Sequence, residues 1–131
     1  YPVLTTHYSI MTFHDLGLSS PLVKAVAAQH YTVPFPVQEA AIPAILGRKD
    51  VFGIAQTGSG KTAGFVLPII EILQDEPQMP HRHIHTLVLV PTRELAVQVC
   101  EVFKNMERFM PVEVRAMAVY GGVSINPQMQ N

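Results

Sequence analysis

The chain has 131 residues, close to half of them hydrophobic and only 15% charged, so it can bury a core and is not a disordered tail. Nine basic and ten acidic residues leave a net charge of −1, which excludes nucleic-acid binding driven by bulk positive charge. No apolar run approaches the ~20 residues of a membrane span, the first residues lack a basic-then-apolar leader pattern, and the single cysteine, Cys100, rules out an internal disulfide. A reducing, cytoplasmic setting is the expectation.

In chain order, residues 1–12 read as an extended lead-in. Ser19–Ser20–Pro21 opens a helix, with proline in the first turn, that runs to about Gln29. Two prolines in Tyr31–Pro36 predict a turn. From Val37 a helix carries Ile42, Ile45 and Leu46 inward and ends near Gly47, with a kink expected at Pro43. Val51–Ala55 reads as a short buried strand. A glycine-bearing loop follows, and then a helix from Lys61 to about Gln74, bent at Pro68. Beyond a polar loop, the β-branched run Thr86–Val90 predicts a second buried strand. The next helix, from about Glu94 to Phe109, sets Leu95, Val99, Val102, Phe103, Met106 and Met110 on one face. Glu113–Tyr120 is the third predicted strand, broken by Gly121–Gly122.

Strands alternating with helices imply right-handed crossovers and an α/β fold, a parallel sheet with helices on both faces. Ligands of such sheets sit beyond the carboxyl ends of the strands, so chemistry is expected just past Ala55, Val90 and Tyr120. Past the first strand stands AQTGSGKT, Ala55 to Thr62, a phosphate-binding pattern with alanine in place of its first glycine. Gly58 and Gly60 let the backbone curl so that successive N–H groups point at one anion. Gln56, Thr57 and Ser59 complete that curl. The helix at Lys61 adds its positive end; Lys61 would reach the outer phosphates, and Thr62 would offer a hydroxyl to Mg²⁺. The bland alternative is a glycine-rich turn with no ligand.

Upstream, His30 to Gln38 reads HYTVPFPVQ, with the lone aromatic Phe13 seventeen residues before it. This resembles the Q motif of DEAD-box ATP-dependent RNA helicases. The resemblance implies that Gln38 reads the adenine edge, that Phe13 stacks on the base, and that Tyr31 holds the motif's aromatic position. An amide suits the task, since it matches adenine's donor and acceptor. His30 departs from the family, which usually has glycine there. On residues alone, Phe13 reads first as core and Gln38 as a solvated helix end; the joint spacing with AQTGSGKT reverses that order. The resemblance continues in Pro91–Ala96 (PTRELA), like motif Ia, and in Gly121–Gly122, like the GG motif. In that family both touch the RNA sugar-phosphate backbone, a role that passes to Pro91, Thr92, Arg93, Gly121 and Gly122. Thr92 can also simply cap its helix. Tyr120–Met129 further resembles the bacterial RhlE-type branch.

The resemblance covers residues 13–129 and implies a partial RecA-like first helicase domain over 13–131, using ATP and Mg²⁺ and acting on RNA with a second RecA-like domain. None of the ten acidic residues lies just past a neighbouring strand where Mg²⁺-dependent hydrolysis would need one, and the Asp-Glu-Ala-Asp sequence does not occur. The expectation is a chain that binds nucleotide without turnover and self-associates through an uncovered sheet edge. A clamp that binds RNA under ATP control without hydrolysis, and an unrelated phosphate-loop kinase or transporter ATPase, are the competing readings. His81, His83 and His85 alternate as metal ligands can, although no cysteine or carboxylate completes a set; a solvated loop accounts for them.

Overall fold

The computed structural model describes residues 10–76, 84–122, 124 and 128. Four helices carry the packing: α1 (Ser20–Ala28), α2 (Pro36–Leu46), α3 (Lys61–Asp75) and α4 (Arg93–Glu107). Each lies within two residues of its predicted bounds. Proline opens both α1 and α2, where its missing N–H costs nothing. Ser19, the residue before α1, is held from across the core: its N–H and hydroxyl both donate to Glu71 of α3, at 2.9 Å each. Thr92 caps α4 by accepting from the Leu95 N–H at 3.2 Å, as its capping role predicts.

Both α1 and α2 stop where a non-glycine residue turns left-handed, His30 at φ 63° and Arg48 at φ 56°. That geometry closes helix ends and favours glycine, which explains the glycine usual at the first of these positions in the resembling family. Arg48 then pairs with Glu76 at 2.9 Å, bringing the ends of α2 and α3 together.

The core gathers one face of every helix. Leu22 and Val26 of α1, Ile42 of α2, Val66, Leu67 and Ile70 of α3, and Val99, Phe103 and Met106 of α4 are all buried. Leu95, Val102 and Met110 pack on its margin, so the predicted face of α4 is the face that is buried. Helix α3 is central: it packs most extensively on α2 and also on α4. Full burial of each such aliphatic side chain contributes about 1.5–3 kcal/mol.

The three predicted strands differ from expectation. Among the described residues, 51–56, 84–90 and 113–120 form no ladder with one another. Burial alternates with period two in the last two, as in an extended chain: Val88, Val90, Val114 and Ala116 pack on the helical core, whereas Leu87, Leu89, Met117 and Val119 are exposed. Phe52 and Ile54 of the first segment are exposed as well. Segments joined by crossover helices need not be neighbours in a sheet, so each can pack on helices without meeting another's backbone. No helix among the described residues is long and apolar enough to cross a membrane.

Candidate nucleotide-binding site

The site is built where residues 51–56 turn into α3. Gly58 and Gly60 adopt φ of 80° and 79°, the left-handed conformation that the curled loop requires. Gly60 caps α3, so the N–H groups of the first turn face the loop. Lys61 folds back into the curl, its Nζ donating to the carbonyl of Ala55 and, at 2.7 Å, to that of Gln56. The loop thus holds its own cation at its centre, and a polyphosphate would substitute for these carbonyls as the lysine's partner. The Ser59 N–H donates to the Gln56 carbonyl at 3.3 Å, while the buried Ser59 hydroxyl has no hydrogen-bond partner among the described residues. Thr57 is exposed and Thr62 half-buried at the mouth of the curl. These residues fit a phosphate group with its Mg²⁺: left-handed glycines, a helix N-terminus, a lysine bonded only to replaceable carbonyls and a hydroxyl beside it.

Gln38 joins this loop to α2. Its Nε2 donates to the Gly60 carbonyl at 3.0 Å, and its Oε1 accepts from the Phe35 N–H at 3.0 Å. It is fully buried, the one polar residue among the described residues that is buried as a whole. The solvated helix end is therefore excluded, and the amide faces backbone rather than an open pocket. A Cβ on Gly60 would collide with Gln38 Nε2 and lie 2.8 Å from Phe35 Cδ2, so glycine is required here by space as well as by φ. Phe35 was not legible as part of the site, although a glutamine three residues after a helix boundary is the signal for such a bond.

Phe13 is 4% exposed and belongs to the hydrophobic core. It sits in a turn fixed by Asp15, whose carboxylate accepts from the Thr12 N–H at 2.8 Å and hydroxyl at 2.7 Å. Those bonds, the hydroxyl's first, hold the Asp15 carboxyl below its ordinary range. As placed, the ring lies in the core, where an apolar ring is more stable than in water. Tyr31 is half-buried against the same core. An open groove of about 530 Å³ runs between α2 and residues 51–56, floored by Val37, Ala40, Phe52 and Ile54 and reaching Gln56 and Ser59 of the loop.

The remaining predicted residues lie on two other segments. Pro91, Thr92 and Arg93 are exposed at the start of α4, where Arg93 Nε donates to Glu94 Oε1 at 2.7 Å. That hydrogen bond keeps the Glu94 carboxyl below its usual range. Gly121 and Gly122 are exposed, Gly122 at φ 82°, and a Cβ at either would meet nothing within 4 Å. Of the alternating histidines, His81 and His83 lie outside the described residues, and His85 is exposed. No group of three metal-ligating side chains occurs among the described residues.

Comparison with known proteins decides the family. The DEAD/DEAH box helicase profile matches residues 35–131. The chain belongs to the DEAD/DEAH box helicase family. It is 44% identical over 119 residues to the ATP-dependent RNA helicase DeaD of Escherichia coli strain K12, covering 91% of this chain and 18% of that protein. Over 117 residues it is 41% identical to the ATP-dependent rRNA helicase RRP3 of Gibberella zeae, covering 89% of this chain and 23% of that one. Two solved structures share its fold. The RNA helicase Prp28 from Chaetomium thermophilum, crystallised with ADP, superposes with a TM-score of 0.79 at 34% identity, over 90% of this chain and 28% of the other. A DEAD box protein from Methanococcus jannaschii gives 0.78 at 32% identity, over 92% and 31%. The likeness to these helicase domains supports a RecA-like fold. The chain spans about a fifth of the curated relatives' length.

Proposed function

We propose that this DEAD-box chain is the ATP-binding part of an ATP-dependent RNA helicase and that it binds adenosine nucleotides without turning them over. The observation that carries the reading is the loop from Ala55 to Thr62, with both glycines left-handed and Lys61 bonded, among the described residues, to loop carbonyls alone. In this reading Lys61 and the loop amides hold the phosphates, and Thr62 holds Mg²⁺, which neutralises phosphate charge when bound. Gln38 reads adenine after releasing Phe35 or Gly60, and Phe13 reaches the base only by leaving the core. Thr92, Arg93 and the amides of Gly121 and Gly122 are suited to an RNA backbone, since a guanidinium, a hydroxyl and unhindered N–H groups recognise phosphate without reading sequence. A second RecA-like domain in the same protein and a cytoplasmic setting complete the proposal. The uncovered apolar residues of the three extended segments support self-association.

Calorimetry with ADP and GDP tests it. The chain should prefer ADP, and Lys61→Ala should weaken binding at least about tenfold, since one charge-assisted hydrogen bond contributes ~1.5–3 kcal/mol. Equal affinity for ADP and GDP, or an unchanged Lys61→Ala variant, would overturn the reading.

A further inference from the structure

We propose that Gln74, at the far end of α3, is a positioning residue that sets where Gly121 and Gly122 stand relative to the phosphate loop. The inference rests on the RNA reading of those glycines given above. Gln74 makes a two-point contact with the backbone of one residue: its Nε2 donates to the Val112 carbonyl at 3.1 Å, and its Oε1 accepts from the Val112 N–H at 3.1 Å. A carboxamide carries the same donor and acceptor as a backbone peptide, so this side chain occupies the place of a neighbouring strand. The same device recurs at the other end of the segment. Gln128 donates to the Tyr120 carbonyl at 3.2 Å and accepts from the Tyr120 N–H at 3.0 Å.

Residues 113–120 otherwise have no ladder among the described residues. Their register therefore depends on these two glutamines and on the alternation that buries Val114 and packs Ala116. A slip of one residue would turn those side chains outward and displace Gly121 by ~3.3 Å along the strand direction. Helix α3 spans ~22 Å at 1.5 Å per residue, with the phosphate loop at its start and Gln74 at its last turn. The segment leaves Gln74 at Val112 and ends at the glycine pair. One helix thereby carries nucleotide contacts at one end and the anchor of the RNA-facing segment at the other. Removing the anchor should disturb RNA contacts and spare the nucleotide.

The test compares Gln74→Met, which keeps length and volume but loses both hydrogen bonds, with the wild-type chain. ADP affinity is read by calorimetry, affinity for a single-stranded oligouridylate by fluorescence anisotropy at fixed salt, and local opening by amide hydrogen exchange. The expected result is ADP affinity within about twofold, oligouridylate affinity weakened about five- to tenfold, and faster exchange over 112–120 with α3 unchanged. Gln128→Met, which leaves α3 packing intact, should act in the same direction. Parallel loss of ADP and RNA affinity would reveal a merely structural role, and unaltered RNA affinity in both variants would sink the idea; either result leaves the nucleotide reading standing. A wild-type chain that binds ADP but no oligonucleotide removes the RNA reading, and this inference with it.

Discussion

The helical layer and the three extended segments obey different rules, although both are rich in the same residues. Leu67 of α3 is fully buried in a core that the helices share with Val114 and other inward side chains of the extended segments. Leu89, in the equally apolar 84–90 segment, is 85% exposed. A helix satisfies its own backbone and asks its surroundings only to cover one stripe. An extended segment must find partners for its N–H and C=O groups, and in a parallel sheet for both faces too. Sequence hydrophobicity therefore reports what a segment needs, whereas burial reports whether the partner is at hand.

The sharpest way to break this comparison is a pair of truncations. Leu67→Ala should cost about 2–5 kcal/mol in urea unfolding, whereas Leu89→Ala should stay within about 0.5 kcal/mol. Similar losses at the two sites would mean that the outer face is covered in solution, and their concentration dependence would tell whether a second copy covers it. A smaller effect sharpens the helical side. His30 holds a left-handed φ of 63° at the end of α1, so His30→Gly should raise stability by about 0.5 kcal/mol, the relief of strain slightly exceeding the added freedom of the unfolded chain. A drop in melting temperature would show that the histidine ring contributes something that its exposure conceals.

The smallest effect concerns Glu107, whose buried Oε2 meets no hydrogen-bond partner among the described residues. Burial, and then the nearby Glu113 carboxylate, push its carboxyl above the ordinary range, with Lys104 and Arg108 opposing. The folded state thus holds this proton more tightly than the unfolded state. Its contribution is fully present below the unfolded value and is lost as pH rises through the raised one. Glu107→Gln should match wild type in acid and melt higher at neutral pH. Parallel melting curves across that range would remove Glu107 from the account.

Much of this was legible beforehand, for identifiable reasons. Helix positions followed from Pro21 at the start of α1, from residue periodicity, and from the Thr92 cap, all local signals; Pro36, read as the end of a turn, opens α2. The phosphate loop was legible because Gly58 and Gly60 are needed by backbone geometry, and backbone geometry is what a short motif encodes. Pairing of 51–56, 84–90 and 113–120 was not, because a strand's neighbour is a matter of topology and not of its own residues. Gln38 and Phe13 fall between: their types suit adenine, yet Gln38 bonds to Gly60 and Phe13 lies in the core. Gln74 left no trace in any pattern, since a glutamine in a last helical turn has an obvious solvent-facing alternative.

The folded-back Lys61 carries one more consequence. Because its ammonium already has two neutral carbonyl acceptors, taking up an anion trades them for a charged one and is not the capture of a naked charge. The heat released on nucleotide uptake should accordingly be smaller than a bare lysine meeting phosphate would give, since two hydrogen bonds break as the stronger ones form.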